Sequence, residues 1–323
     1  MPQMDGRDVG FVGLGMMGQP LALALARDGR RVHVFDTRAD ALAAASSIPG
    51  IVARGSPAEV ASAASIVFTC LPSIEAIESV YLSDGGIVSA VRDGSVVCEL
   101  STTSPELSAE IARRLSTAGA RFAEAPMIGP PSAAREQALF FIVGCDARTL
   151  AALDPLLRGM GRAYRHVGDV GAASRAKLLH NSLGMIHAAA TAEVLGLCLK
   201  VGVDADAFVD VIREAAKSRG VGYSTFFDLH APDILRARDG GAGRLYIGAK
   251  DAHLAHRMAQ SANYPSPLLR EADAMFAEAM SAGWGSLEFS AVSKVVEKRL
   301  GETLFGQAQA DRDENPRGAG GPA

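Results

Sequence analysis

The chain has 323 residues, of which 48% are hydrophobic and 21% charged, and its net charge is −4 at pH 7. This length allows two domains with separate cores, and the composition is ordinary for a soluble globular protein. The negative net charge and the lack of a basic stripe in the sequence argue against nucleic acid as a partner.

The four cysteines are widely spaced and form no C-x-x-C pair, which predicts buried thiols in a reducing compartment. Charges precede the first apolar run, unlike a signal peptide, and no uncharged run reaches the length of a membrane span. We therefore expect a cytoplasmic protein that binds no membrane. We also expect no metal site, because His253 and His256 beside Asp251 are more typical of a solvated helix face.

A dinucleotide-binding pattern opens the chain. Residues 8–12 predict a strand, a G-x-G-x-x-G sequence follows, residues 19–28 predict a helix, and a second strand ends at Asp36. The glycines let the backbone approach a pyrophosphate at the helix N-terminus, and Asp36 can accept from ribose hydroxyls. A carboxylate there favours NAD, while Arg38 leaves NADP open. The predicted cofactor-binding residues of this segment are Gly13, Leu14, Gly15, Met16, Met17, Gly18, Asp36, Thr37 and Arg38.

The alternation of strands and helices continues to about residue 169 and predicts further strands at 65–71, 94–100, 121–125, 138–143 and 164–167. Ligands of open α/β sheets lie beyond the C-terminal ends of the strands. Two short segments fall there, Leu71-Pro72 and Ser101-Thr102. Because Ser104 can cap the next helix, Ser101 and Thr102 are left for a ligand.

A long apolar run over residues 178–201 predicts one long helix, and Lys177, His180 and Asn181 share a face at its start. An amine and an amide one turn apart form a candidate acid/base pair; the alternative is a solvated lysine beside a helix-start amide. Every later pattern is helical, and we predict helices at 204–215, 250–261, 267–282 and 289–300. We predict a dinucleotide-binding domain at 1–169, an all-helical substrate and oligomerisation domain at 170–305, and a disordered tail at 306–323.

Four ordered segments, residues 10–18, 100–105, 171–181 and 249–251, resemble the β-hydroxyacid dehydrogenases, the family of 3-hydroxyisobutyrate dehydrogenase. The resemblance covers about residues 8 to 300. It implies an α/β fold with an N-terminal doubly wound Rossmann sheet, a long inter-domain helix and an all-α C-terminal domain. It further implies NAD(P)-dependent hydride transfer between the nicotinamide and a small β-hydroxyacid or its semialdehyde, in a homodimer or homotetramer.

The resemblance also implies residue roles. Lys177 matches the catalytic lysine, Asn181 the amide that holds it, and Ser101 the hydroxyl beside the substrate alcohol. A lysine between apolar walls near a cationic nicotinamide is expected to have a lowered pKa, so that it exchanges a proton with the substrate oxygen. The remaining cofactor contacts implied are Leu71, Pro72, Thr102 and Lys250. The substrate contacts implied are Ser101, Met127, Ile128, Gly129, Lys177, Asn181 and Asp251.

The substrate loop departs from the family pattern, which usually reads Asp-Ala-Pro-Val-Ser-Gly-Gly. Here Glu124 begins the loop, Ile128 replaces a serine, and Pro130 replaces a glycine whose N–H could bind an anion. We therefore predict a substrate bulkier or less polar than 3-hydroxyisobutyrate, or an anion held from elsewhere. The candidates for that role are Arg135, Lys217 and Arg219. His180 replaces the first of two consecutive asparagines, either as a packing substitution or in a role beside Asn181.

Two alternatives share the fold. An imine reductase would typically lack the lysine, so Lys177 counts against it. A cofactor sensor without catalysis is supported only by the altered substrate loop, and the presence of Lys177, Asn181 and Ser101 counts against it.

Overall fold

A computed structural model describes residues 8–218, 224–236 and 243–305. The chain divides into two compact units between Leu179 and His180. The boundary predicted near Asp169 precedes the helix in which this division falls, and the predicted roles of the two domains stay predictions. The predicted disordered tail at 306–323 and the candidate anion ligand Arg219 lie outside the described residues.

The first unit contains a nine-stranded sheet. Its strands are β1 (Asp8–Val12), β2 (Arg31–Phe35), β3 (Ile51–Ala53), β4 (Ile66–Thr69), β5 (Val96–Glu99), β6 (Arg121–Glu124), β7 (Met127–Ile128), β8 (Phe140–Gly144) and β9 (Ala163–Gly168). The strand order is β3-β2-β1-β4-β5-β6-β8-β7, with β9 paired to β8. The first six strands pair in parallel, whereas β8 runs antiparallel to β6 and β7.

The order 3-2-1-4-5-6 of the parallel strands is that of a doubly wound dinucleotide-binding sheet, which confirms the predicted fold. Strands β2 and β3 lie on one side of β1, and β4 to β6 lie on the other, so the topological switch point falls between β1 and β4. The glycine-rich segment follows β1, and Leu71 follows β4, so both lie at the carboxyl edge where such sheets bind ligands.

Helices cover both faces of this sheet, and each face buries its own apolar cluster. On β4, for example, Val67 belongs to one cluster and Phe68 to the other, because successive side chains of a strand point to opposite faces. The helices are α1 (Gly18–Arg27), α2 (Ala39–Ser46), α3 (Pro57–Ala63), α4 (Ile74–Leu82), α5 (Ile87–Ala90), α6 (Pro105–Thr117), α7 (Pro131–Arg135) and α8 (Ala147–Met160).

The long helix α9 (Ala172–Lys200) starts in the first unit and continues into the second. It begins six residues before the apolar run, directly after Gly171, whose φ of +89° is a conformation that favours glycine. By length and composition alone α9 could cross a membrane, and half of its most apolar window is buried inside the protein. Core helices of soluble proteins meet the same criterion.

The described part of the second unit is helical, as predicted. After α9 come α10 (Ala205–Lys217), α11 (Thr225–Arg236), α12 (Leu245–Ser261), α13 (Pro267–Ser281), a 3-10 helix (Phe289–Ser293) and α14 (Lys294–Leu300). The prediction of one helix over 289–300 is wrong at its start. There the Phe289 N–H donates to the Gly243 carbonyl, and the Phe289 ring packs on His230 and Phe276.

Candidate active site

The glycine-rich loop between β1 and α1 leaves open space at one of its three glycines. A Cβ added to Gly13, whose φ is +97°, would lie 2.2 Å from the Cys70 carbonyl oxygen, and one added to Gly18 would lie 2.0 Å from the Gly13 carbonyl oxygen. At Gly15 an added Cβ would meet no neighbouring described atom within 4 Å. Packing therefore requires Gly13 and Gly18, while Gly15 borders space that suits a pyrophosphate at the N-terminus of α1.

Asp36 joins the end of β2 to this loop. Its carboxylate accepts from the Leu14 N–H at 2.6 Å and from the Arg38 N–H at 2.8 Å. The Arg38 guanidinium donates to the Leu14 carbonyl at 3.0 Å and keeps 55% of its side chain exposed. The structure thus brings Leu14, Asp36 and Arg38 together, as a ribose-binding corner requires. Met16 and Thr37 are exposed beside them.

A second group of hydrogen bonds connects the ends of β4 and β5. The Leu71 N–H donates to the Ser101 hydroxyl at 2.7 Å, and the Ser101 N–H donates to the Glu99 carboxylate at 2.7 Å. The same buried carboxylate accepts from the Thr69 hydroxyl at 2.8 Å. The loop that carries Ser101 and Thr102 is therefore fixed against the segment that carries Leu71 and Pro72.

The carboxylate of Glu99 and the phenol of Tyr81 are parts of this group that sequence analysis missed. Tyr81 lies 2.7 Å from the Thr69 hydroxyl, and burial, together with Glu99, raises the pKa of its phenol well above the usual value. Tyr81 therefore keeps its proton and can donate to Thr69, which donates to Glu99. The available signal was an acidic residue at the end of the otherwise apolar strand β5.

Lys177 lies on the second turn of α9, with only 8% of its surface exposed. The first turn of this helix is held by the carboxylate of Glu124, which accepts from the Gly171 N–H at 2.6 Å. Because Lys177 is buried, the alternative of a solvated lysine is wrong. Ser101 and Lys177 both belong to the first unit.

Three other predicted site residues come together in the second unit. The Asn181 amide donates to one oxygen of Asp251 at 2.6 Å, and the Lys250 ammonium lies 3.1 Å from the other. Asp251 is 4% exposed, so the lysine compensates a buried charge. The His180 ring nitrogen Nδ1 donates to the Asn181 side-chain oxygen at 3.0 Å, which places His180 in direct contact with the amide.

The substrate loop continues the antiparallel register of β6 along β8, where Met127 and Ile128 pair with Phe141 and Phe140 and are both half-buried. Gly129 has a φ of +137°, and an added Cβ there would lie 2.8 Å from the Leu139 side chain. Of the candidate anion ligands, Arg135 is exposed on α7, and Lys217 forms an exposed ion pair with Glu214 at 2.6 Å.

Within the described residues no three or more His, Cys, Asp or Glu side chains form a group suited to a metal ion. The expectation of a solvated face at His253 and His256 is wrong for His256. Its side chain is only 17% exposed and contacts the Asp273 carboxylate of α13 at 2.7 Å, whereas that of His253 is 61% exposed.

Comparison with known proteins gives two matching family models. One, described as the NAD binding domain of 6-phosphogluconate dehydrogenase, matches residues 8–168. The other, described as the NAD-binding of NADP-dependent 3-hydroxyisobutyrate dehydrogenase, matches residues 171–296.

Curated relatives match along nearly the whole chain. The 2-(hydroxymethyl)glutarate dehydrogenase of Eubacterium barkeri is 31% identical over 92% of this chain and 97% of its own. The 3-hydroxyisobutyrate dehydrogenase of Pseudomonas aeruginosa is 33% identical over 89% of this chain and 98% of its own. The chain belongs to the β-hydroxyacid dehydrogenase family. As a member, this β-hydroxyacid dehydrogenase is an NAD(P)-dependent oxidoreductase that acts on the CH–OH group of a hydroxyacid.

Solved structures agree with this assignment. The 3-hydroxyisobutyrate dehydrogenase of Salmonella typhimurium superposes with a TM-score of 0.78 at 26% identity, over 89% of this chain and 99% of its own. An imine reductase of Bacillus cereus has a TM-score of 0.57 at 20% identity, over 90% of this chain and 99% of its own. The latter likeness concerns the fold alone, so imine reduction remains a distant alternative for this β-hydroxyacid dehydrogenase.

Proposed function

We propose that Lys177 is the general acid/base of the dehydrogenase reaction. The observation that carries this proposal is the buried amine on the second turn of α9, in the unit that also holds the glycine-rich loop and Ser101. The open space at Gly15 and the carboxylate of Asp36 suit a nicotinamide dinucleotide, which supplies the hydride acceptor or donor when bound. Leu71, Pro72, Thr102 and Lys250 are the other proposed contacts to it.

In oxidation the substrate hydroxyl loses a proton as its carbon loses a hydride. Neutral Lys177 takes that proton, and in reduction the ammonium returns it to the carbonyl oxygen. The Ser101 oxygen already accepts from the Leu71 N–H, so its own proton can be donated to the reacting oxygen. Asn181, four residues after Lys177 on α9, is proposed to orient the amine. Its amide is itself oriented by Asp251 and His180.

Replacement of Lys177 by alanine tests this role. We expect turnover to fall by roughly 10²- to 10⁴-fold, with the dissociation constant of the cofactor little changed, and added methylamine to restore part of the activity. Wild-type turnover in Lys177→Ala, or loss of cofactor binding without any rescue, would contradict the proposal.

We also propose that the substrate is a β-hydroxyacid bulkier than 3-hydroxyisobutyrate. The support is the half-buried Ile128 and the Pro130 that lacks an N–H, which leave the substrate loop with fewer donors for a small carboxylate. The substrate named for the Eubacterium barkeri relative, 2-(hydroxymethyl)glutarate, is a larger β-hydroxyacid of this type. Gly129 and Met127 complete the proposed loop contacts.

A substrate panel with two variants tests the pocket. Wild type is expected to favour β-hydroxyacids larger than 3-hydroxyisobutyrate. Ile128→Ser is expected to raise kcat/KM for 3-hydroxyisobutyrate about 10- to 150-fold, because a hydrogen bond to a charged group contributes about 1.5–3 kcal/mol. Ile128→Val controls for the change in size alone. A wild type that prefers 3-hydroxyisobutyrate over every larger analogue would contradict the proposal.

We further infer a homodimer or homotetramer in the cytoplasm, binding neither membrane nor nucleic acid. Exposed apolar residues repeat along one face of α9 with heptad-like spacing, which is typical of a subunit interface. This face, called here the α9 stripe, consists of Leu183, Val194, Leu197 and Val201. The net charge of −4 and the four free thiols are consistent with the inferred location.

A further inference from the structure

The carboxylate of Glu124 connects the end of β6 to the beginning of α9. Its Oε2 accepts from the Gly171 N–H at 2.6 Å and has a longer contact of 3.5 Å with the Ser174 N–H. The residue is 1% exposed. Within the described residues Glu124 makes no ion pair, and its Oε1 has no hydrogen-bond partner. The carboxylate instead faces the amides at the positive end of α9, which favours a negative charge.

Gly144 leaves the space that this contact needs. It stands opposite Glu124 in the register of β6 and β8. A Cβ added to Gly144 would lie 3.0 Å from the Glu124 Oε2 and 3.0 Å from both the backbone nitrogen and the Cβ of Ala173. Strand, carboxylate and helix start therefore converge without room for a methyl group. The first turn of α9 is thus packed as well as hydrogen-bonded.

The position of this turn bears on Lys177. Lys177 lies three residues after Ser174, so the two share a helical face, and helical side chains lean toward the N-terminus of their helix. From this tendency we expect the lysine side chain to extend back over the turn that Glu124 holds. A shift of the helix start would displace the amine by a similar distance, and displacements of about 1 Å cost about 10²-fold in rate.

Among the described residues, three titratable neighbours of Glu124 are Glu99 and two cysteines, and none of these three can carry a positive charge. Glu99 stands beside Glu124 in the register of β5 and β6, with its oxygens occupied by Ser101 and Thr69. The remaining two are the thiols of Cys98 and Cys145. Burial raises the pKa of both thiols, that of Cys145 to about 12, with Glu124 a smaller cause in each case.

We propose that Glu124 is a positioning residue for Lys177, which holds the first turn of α9 against β6 and β8 so that the amine reaches the reacting oxygen. The proposal rests on the acid/base role proposed above for Lys177. In the family pattern the matching position is usually an aspartate, so Glu124→Asp retains the charge with a shorter reach.

The test compares Glu124→Gln and Glu124→Asp with wild type. It measures thermal stability, amide hydrogen exchange over residues 171–174, cofactor affinity, and kcat and KM for oxidation as a function of pH. Asp146→Asn is the matched control, because Asp146 caps α8 in the same unit by accepting from the Thr149 N–H at 2.9 Å. Lys177→Ala is run beside these variants.

In Glu124→Gln we expect exchange over residues 171–174 to accelerate about tenfold or more. We expect kcat to fall about 10- to 100-fold, with KM and cofactor affinity within about threefold of wild type. The rising limb of the pH profile should move to lower pH, because the anion that favours the ammonium form is gone. In Glu124→Asp the rising limb of the pH profile should stay at the wild-type pH. Asp146→Asn should change neither this limb nor the exchange at the start of α9.

Unchanged exchange in Glu124→Gln would overturn the proposal. Faster exchange with wild-type kcat and an unchanged rising limb of the pH profile would also overturn it. The same holds if kcat falls only in proportion to a loss of thermal stability while the rising limb stays in place. Wild-type turnover in Lys177→Ala would instead contradict the acid/base role proposed for Lys177. The exchange data would still show whether Glu124 holds the first turn of α9.

Discussion

At the scale of single residues, Asp36 performs two tasks with one carboxylate. It accepts the N–H groups of Leu14 and Arg38, and so shapes the glycine-rich loop, and it presents negative charge where a ribose is expected. Arg38 pairs with the same carboxylate at 3.4 Å while most of its side chain stays exposed. We expect the balance between these two charges to influence the choice between NAD and NADP.

Asp36→Asn should shift that balance toward NADP. The amide oxygen can still accept from the Leu14 N–H, while the charge that repels a 2′-phosphate is lost, so the ratio of kcat/KM for NADP over NAD should rise about tenfold. Arg38→Ala is the opposing variant and should lower the same ratio. Steady-state kinetics with both cofactors measures it, and an unchanged ratio in both variants would show that other groups select the cofactor.

At the scale of elements, α11 and the 3-10 helix pack through a buried histidine. The His230 ring stacks on Phe289 with centroids 4.9 Å apart, and its Nδ1 has no partner among the described residues. Burial lowers the pKa of His230 to about 4, with His187 a smaller cause. Folding therefore keeps His230 neutral, whereas the unfolded chain binds a proton below about pH 6.5.

The second unit should consequently lose stability as the pH falls from about 6.5 toward 4. His230→Phe keeps the stacked ring and removes the titration. Between pH 7 and pH 5 we expect wild type to lose about 2 kcal/mol more of its unfolding free energy than the variant. Denaturant unfolding of both proteins at the two pH values measures this difference. Equal losses would contradict the assignment of a neutral buried ring.

The helices and strands also differ in how well the sequence predicts their boundaries. The strands β1 and β2 end directly before strong signals, Gly13 and Asp36, and helix α6 begins at another, Pro105 after the cap Ser104. Between Ala39 and Ala53 the signals are weak, because α2 is mostly alanine and β3 has three residues. The missed α11 carries Pro232 inside it, which normally interrupts a helical pattern.

The candidate site divides in the same way. Lys177, Ser101 and the glycines belong to local motifs, so the sequence alone identifies them. The contacts of Glu99 and Glu124 cannot be predicted in this way, although Glu124 begins the substrate loop, because they depend on which strand ends are neighbours in the sheet and on where α9 starts. An acid at the end of an apolar strand was the only local sign of Glu99.

At the scale of the whole molecule, the α9 stripe predicts self-association. Leu183 is 56% exposed and Leu197 60% exposed, two heptads apart on one helix. Leu197→Glu should shift the protein toward monomer, because a charge would have to be buried in the interface. Light scattering coupled to gel filtration measures the mass. Val211→Glu, at an equally exposed apolar residue on α10, is the control. Equal masses for wild type and Leu197→Glu would exclude the stripe as the interface.

The assigned reaction is tested most directly by a turnover panel of the wild-type protein, with NAD⁺ and NADP⁺ against β-hydroxyacids of increasing size. We expect reduction of the nicotinamide with at least one hydroxyacid larger than 3-hydroxyisobutyrate, and its near-complete loss in Lys177→Ala. Tight cofactor binding without turnover of any hydroxyacid or semialdehyde would contradict the assigned reaction and favour a sensor that has kept the fold.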